Sequence, residues 1–278
     1  MTIPVRVRER LRRHGAWALV TGASSGIGQA CARDLASAGV NLVVVARSET
    51  ALLELSEELI AKHGVEIRVV PIDLATSSGV ETTVEAARGL DLGLLVASAG
   101  FGTSGDFLHG QLHEELGMID VNCRAVVELC HRVIPGMVSR GRGGVVLFSS
   151  LVAFQGTPRA ANYAATKAFV QTFAEGLGAE LRGTGVEVLA TAPGPTLTGF
   201  GRRADMDMRS GLSPEVVARQ TLAALGRRRT VRPGFLSKFL EASLRVLPRW
   251  GRTRMLGIVM GGMTRHQSAR GKALPAAR

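Results

Sequence analysis

Aromatic side chains are scarce in this chain of 278 residues, at 4% of the total, and Tyr163 is the only tyrosine. The core of a chain that is 46% hydrophobic must then be mostly aliphatic, as in parallel sheets covered on both faces. Lysine is almost as rare, since arginine carries nearly all the basic charge. Cysteine is limited to Cys31, Cys123 and Cys130, an odd number without a Cys-x-x-Cys pair. This argues against a disulfide framework and leads us to expect reduced thiols, packed as small apolar residues in a cytoplasmic protein. No apolar run is long enough to span a bilayer. The AWALVTGA stretch behind the opening arginines is too short for the apolar core of a signal peptide and leads straight into glycines. It is expected to be a first strand. Solenoid repeats and low-complexity linkers are also lacking, which leaves one α/β domain as the simplest reading of the length.

Acidic residues thin out at one end only. Residues 1–198 hold 17 Lys and Arg against 19 Asp and Glu, a net of −2. Residues 199–278 hold 17 against 4, a net of +13, so the overall charge of +11 belongs to the end of the chain. A solvated arginine face, an acidic partner and an anionic membrane surface all fit that asymmetry. The arginines lack interleaved aromatics and any nucleic-acid motif, so no nucleic-acid partner is expected.

Strands and helices are expected to alternate. Ala16–Thr21, Asn41–Ala46, Val65–Val70, Leu92–Ala97, Gly144–Ser149 and Val186–Thr191 are apolar runs of strand length. Helical patterns separate them. Ser48 caps one that stops at Gly64, another surrounds Val80–Arg88, and a long one over Leu112–Arg140 is expected to break near Pro135-Gly136. Continuous apolar strands joined by short helical crossovers predict a doubly wound parallel sheet with helices on both faces. Later, Ser213-Pro214-Glu215 opens a helix running to about Leu225. Phe235–Leu247 follows as an amphipathic segment with Phe235, Leu236, Phe239, Leu240 and Leu244 on one side. It is expected to cover a pocket, join an oligomer interface, lie on a membrane or pack on its own domain. A shorter apolar piece spans Met255–Met260, and a frayed tail follows His266.

Three patterns carry chemistry. Gly22-Ala-Ser-Ser-Gly26-Ile27-Gly28 sits between a strand and a helix, where backbone amides can approach a pyrophosphate, with Ser24 and Ser25 as further donors. Where an acid at the end of the second strand would bond a ribose 2′-hydroxyl, this chain has Ala46 and then Arg47. An arginine there suits a 2′-phosphate, so NADP(H) is expected over NAD(H). Finally, if Thr157 caps a helix with Pro158 in its first position, Tyr163 and Lys167 stand one turn apart on one face. A neighbouring ammonium favours the phenolate, one way to bring a phenol into acid–base use. His109 and His113 lack a third ligand, so no metal is expected, and Cys123 and Cys130 are expected to pack.

TGASSGIG, Asp73, Ser98-Ala99-Gly100, Val121-Asn122-Cys123, a serine thirteen residues before Tyr163, YAATK and APGPTLT occur in one order. In that order the chain resembles a short-chain dehydrogenase/reductase with a single Rossmann-like domain, strongly over residues 15–200. The resemblance implies hydride transfer between NAD(P) and an alcohol or carbonyl carbon. Tyr163 would be the proton donor or acceptor, and Lys167 would hold the nicotinamide ribose and lower the phenol's pKa. Ser150 would bond the substrate oxygen and Asn122 would hold a proton-relay water. Asp73 and Leu74 would meet the adenine, Ser98, Ala99 and Gly100 would line the cofactor, and Pro193, Gly194, Thr196 and Thr198 would border the nicotinamide. The family's Asn-Asn-Ala-Gly is Ala97-Ser98-Ala99-Gly100 here, which is expected to loosen the local brace while sparing catalysis. Residues 1–14 are then a basic lead-in, 15–232 the catalytic domain and 233–278 a basic extension. A homodimer or homotetramer is implied, joined through the Asn122 and Tyr163 helices.

Phe101, Val152, Phe154, Pro195, Leu197 and Phe200 fall on loops at the carboxyl ends of strands, so a hydrophobic ketone or aldehyde and its alcohol are the expected substrates. Two other readings compete: an NADP-binding sensor or scaffold without turnover, and a peripheral membrane protein acting on lipid carbonyls through its basic end.

Overall fold

The computed structural model describes residues 3–208, 210–234 and 247–267. Seven parallel strands form one sheet in the order β3-β2-β1-β4-β5-β6-β7. They are β1 Trp17–Thr21, β2 Asn41–Ala46, β3 Ile67–Pro71, β4 Leu92–Ala97, β5 Gly143–Phe148, β6 Val186–Thr191 and β7 Thr230–Val231. Because successive side chains of a strand point to opposite faces, each apolar run feeds two cores. Ala18, Val20, Leu42 and Val44 face one layer of helices. That layer holds α1 Val5–His14, α2 Gly26–Ser37, α3 Glu49–His63 and α9 Pro214–Ala224. Leu19, Val43, Val45 and Leu95 face the other. There stand α4 Ser77–Ala86, α6 Ala125–Ser139 and α7 Ala161–Glu180. The doubly wound sheet expected from the sequence is present.

Local signals set several ends. The Ser48 hydroxyl accepts from the Ala51 amide at the start of α3, and Gly64 closes that helix in the left-handed conformation at φ 65°. Ser213 caps α9 in the same way, with Pro214 in its first turn.

Four expectations need correcting. The basic lead-in is a helix, α1, whose Val7 and Leu11 are buried one turn apart while Arg6, Arg12 and Arg13 are exposed. A seventh strand, β7, pairs with β6 through only two residues and is too short to show a periodicity. The helix through Leu112–Arg140 does not break at Pro135, which α6 accommodates in its interior. It is interrupted instead between α5 Leu112–Ile119 and α6, where Asp120–Arg124 widen into one π turn and the Ala125 amide reaches the Asp120 carbonyl. The Tyr163 helix starts at Ala161, not Pro158, because Arg159 at φ 65° keeps the preceding residues out of helical geometry.

The remaining helices are the short α8 Phe200–Arg203 and the longer α10 Arg249–Met263. Among the described residues no helix is long and apolar enough to cross a membrane. The amphipathic segment expected over Phe235–Leu247 lies, Leu247 apart, outside the described residues.

Candidate active site

The strand order reverses between β1 and β4, and the loops from their carboxyl ends part there to leave a crevice. The glycine turn after β1 lies on one side of it. Gly22 and Gly26 take φ of 66° and 57°, open to glycine at little cost. A side chain on Gly28 would collide with the Gly22 carbonyl oxygen, and one on Gly22 would come within 2.9 Å of the Ala99 backbone. The turn is thus packed directly on the Ser98-Ala99 segment, and the Thr21 hydroxyl ties the two by accepting from the Ser98 and Ala99 amides at 3.1 and 3.0 Å. Ser25 precedes α2 in extended backbone, its side chain makes no capping bond, and no acid stands in the first turn. The first amides of α2 therefore face the crevice uncapped by their own chain. Ser24 is half-buried, Ile27 packs on the core, and Thr198 leans over Gly26 from the opposite wall.

Arg47 lies just past β2, exposed and without an ion pair among the described residues. Asp73 caps its own turn by accepting from the Ala75 amide at 2.9 Å, and the Leu74 side chain is buried in the core. On the other flank, the Pro193 carbonyl accepts from the Leu151 amide, and Thr196 donates to the Gly194 carbonyl.

Asn122 stands in the π turn, 1% exposed. Its Oδ1 accepts from the Phe101 amide at 3.1 Å. Its Nδ2 donates to the Phe101 carbonyl at 2.9 Å and to Thr166 Oγ1 at 3.0 Å. The loop after β4 is thereby fastened to α7 one turn below Tyr163. Lys167 is buried, with Nζ donating to the Phe148 carbonyl at 2.8 Å and lying 5.8 Å from the centre of the Tyr163 ring. Gly100 lets Asn122 and Lys167 close in, since a Cβ there would sit 2.8 Å from Asn122 Oδ1 and 3.4 Å from Lys167 Nζ. The Tyr163 hydroxyl is hydrogen-bonded to Ser150, which stands two residues past β5 at the head of a short 3-10 turn. Asn122, Ser150, Tyr163 and Lys167, far apart in the chain, are brought together.

The electrostatics differ from expectation. Burial pushes the Tyr163 phenol up to about 12, against the smaller opposing pull of its Ser150 hydrogen bond. Desolvation also brings the Lys167 ammonium down to about 8. Loss of water, not the Lys167 charge, sets the direction of the phenol's shift, and Lys167 Nζ is engaged with the Phe148 carbonyl. Burial likewise raises the Cys123 thiol to about 11 and Cys130 to about 12, as packed thiols require. His109 lies in a short 3-10 turn beside Asp106, apart from the helix that carries His113, so the two share no helical face.

Other residues join the site without a signal in the chain. Phe200, expected only as a pocket wall, packs its ring 5.2 Å from that of Tyr163, and Gly102 fits beneath both. Glu115 is buried and accepts from Thr103 Oγ1 and from Asn162 Nδ2, both at 2.6 Å. It braces the residue before Tyr163, and a Glu on a helix carries no hint of that in sequence. Phe101 lies under the Arg203 guanidinium and Phe154 under that of Arg232, so both rings have a charged cover.

The short chain dehydrogenase family model matches residues 16–209. The chain belongs to this family. It is an oxidoreductase of the short-chain dehydrogenase/reductase class. A 7beta-hydroxysteroid dehydrogenase of Collinsella aerofaciens is 30% identical over 233 residues, 81% of this chain and 89% of that one. A very-long-chain 3-oxoacyl-CoA reductase of Aspergillus clavatus is 37% identical over 180 residues, 63% of this chain and 52% of that protein. Among solved structures, a short-chain dehydrogenase from Sphingobium yanoikuyae in complex with NADPH aligns with a TM-score of 0.74 at 29% identity. That alignment covers 82% of this chain and 93% of that one.

Proposed function

We propose that the protein interconverts a hydrophobic ketone or aldehyde and its alcohol with NADP(H), working as a reductase at neutral pH. The observation that carries the reading is the Tyr163 hydroxyl, bonded to Ser150 and held in the neutral form by burial. A phenol hydrogen-bonded to Ser150 and one helical turn from Lys167 is placed to give its proton to a carbonyl oxygen held by the same serine, the requirement of carbonyl reduction.

The residues present fit a dinucleotide. The turn at Gly22, Gly26 and Gly28 leaves no room for side chains, and the uncapped amides of α2 suit a pyrophosphate. Asp73 and Leu74 are assigned to the adenine side, and Ser98, Ala99 and Gly100 to the floor. Pro193, Gly194, Thr196 and Thr198 are assigned to the nicotinamide side. Arg47 is assigned to a 2′-phosphate, since an exposed guanidinium with no carboxylate partner among the described residues is free to take one. The NADPH complex of the Sphingobium neighbour supports a dinucleotide of this kind as the cofactor. The cofactor supplies the hydride when bound.

Each side chain then has one task. Tyr163 delivers a proton to the carbonyl oxygen, and Ser150 donates to the same oxygen and keeps it in reach. Lys167, anchored by the Phe148 carbonyl, is assigned to the ribose hydroxyls and to returning the proton to Tyr163. Asn122 holds the loop after β4 in place and is assigned the water through which that proton comes. Phe101, Val152, Phe154, Pro195, Leu197 and Phe200 are assigned to an apolar substrate surface, and the hydroxysteroid and 3-oxoacyl relatives both act on lipophilic carbon skeletons. Residues 15–232 make up the proposed catalytic domain and 233–278 a basic extension. Exposed Leu112 and Leu116 on α5 and Phe169 on α7 make these helices the proposed dimer interface.

The test is cofactor consumption across steroid ketones, 3-oxoacyl thioesters and aryl ketones, with NADPH and NADH in parallel. Faster turnover with NADPH on one of these classes is expected. Preference for NADH would remove the Arg47 assignment, and tight NADPH binding with no turnover on any of them would favour a sensor.

A further inference from the structure

The basic end of the chain has no part in the chemistry above, yet its last described helix is built onto the site. The inner side of α10 packs on the segment leading to Tyr163: Gly257 meets Pro158, Thr253 meets Gly156, and Met260 is buried. The Thr264 hydroxyl accepts from Arg159 at 3.1 Å. Past the helix, Gln267 donates to Ser104 Oγ and to the Asp205 carbonyl, and the Met263 carbonyl accepts from the Asp207 amide. Those partners lie beside Gly102 and Phe200, the two residues packed on the Tyr163 ring. α10 is thus the outer wall of the candidate site.

Its outer side is composed differently. Trp250 and Ile258 are each 71% exposed and stand two turns apart on one face, with Arg254 between them. Leu247 before the helix and Arg265 after it fall on the same side, and Val259 is 48% exposed at its edge. From Arg249 to Met263 the helix contains three arginines and no acid. A soluble surface seldom spends a tryptophan and an isoleucine on water in this way. Indole and aliphatic groups among arginines are the chemistry of a helix lying in the headgroup layer of a bilayer.

We propose that the outer face of α10 seats the protein on an anionic lipid surface. Trp250 and Ile258 enter the acyl boundary while Arg254 and Arg265 meet headgroup phosphates. The charge asymmetry of the chain fits this occupant, since the face belongs to the region with a net of +13 while residues 1–198 carry −2. Seated so, the loops around Tyr163 lie about one helix diameter, roughly 10 Å, from the membrane. This rests on the reductase reading only for its consequence: a lipid-borne carbonyl compound would reach the cleft without crossing water.

The test is co-sedimentation of the full chain with vesicles of phosphatidylcholine alone and with phosphatidylglycerol added. Turnover of a water-soluble ketone is followed on the same samples. Binding only to the anionic vesicles, weakened by salt, is expected. Trp250→Ser with Ile258→Ser should weaken it by about tenfold or more, and so should Arg254→Gln with Arg265→Gln, with soluble turnover unchanged. Wild-type protein left in the supernatant, or variants that bind like wild type, would overturn the proposal. So would a concentration-dependent dimer that the Trp250/Ile258 variant abolishes without vesicle binding, which would assign the face to a second copy. Vesicle binding in a protein that reduces no ketone would sustain this inference and sink the reductase reading alone.

Discussion

Replacing Asn122 with alanine should both destabilise the fold and disable the site, and the structure sets the size of the effect. The side chain makes three hydrogen bonds at a position shielded from water. Thr166 would keep its own bond to the Tyr163 carbonyl, so its loss is minor. The Phe101 amide and carbonyl would be left without these partners, and a buried polar group stripped of its partner costs about 1–3 kcal/mol. With partial relaxation, the expected loss is about 2–4 kcal/mol. For a chain of 278 residues that is a fall in Tm of roughly 3–7 °C. Turnover should fall further than stability explains, because the loop after β4 and the helix carrying Tyr163 are no longer fastened together. Urea unfolding and steady-state kinetics, run below the new Tm, measure the two effects separately. A variant within about 0.5 kcal/mol of wild type would refute the bracing role, since surface-like tolerance is not what a buried bridge shows.

Gly28→Ala should abolish cofactor binding in a folded protein of reduced stability, because its Cβ meets the Gly22 carbonyl oxygen and not a movable side chain; cofactor titration by fluorescence checks it, and unchanged affinity would contradict the cradle. Acid stability should depend on His14, which is buried beside Arg10 and 3.5 Å from Glu187, and which desolvation brings down to about 4. The unfolded chain takes up that proton near pH 6.5 and the folded chain only near 4, so stability is lost as pH falls across this window, by up to about 3 kcal/mol. Urea midpoints of His14→Gln and wild type should diverge between pH 7 and 4, and parallel curves would remove the assignment. Leu112→Glu with Leu116→Glu should turn a dimer into monomers in sedimentation velocity, and an unchanged oligomer would place the interface elsewhere.

The sheet was legible because its strands are unbroken apolar runs, and Ser48, Gly64 and Ser213-Pro214 mark helix ends through local chemistry alone. α1 was not, because two buried apolar residues among arginines resemble a solvated stretch until α9 is there to cover them; Arg10 reaches the Leu222 and Ala223 carbonyls across more than two hundred residues. The π turn at Asn122 has no sequence signature, since it is fixed by bonds to Phe101 and Thr166, 21 and 44 residues away. In the site, the spacing of Tyr163 and Lys167 could be read from the chain, but the direction of their pKa shifts could not. Charge proximity is visible in a sequence, whereas the desolvation that outweighs it exists only once β5, α7 and the loop after β6 close around the pair.

The central claim is that Tyr163 transfers the proton, and the most direct measurement compares Tyr163→Phe with wild type for NADPH affinity and for ketone turnover together. The account predicts affinity within a few-fold of wild type and turnover lower by about 10²–10⁴, the usual worth of a positioned acid. Phenylalanine keeps the ring packed on Phe200 and removes only the hydroxyl bonded to Ser150. Turnover retained in that variant would contradict the account.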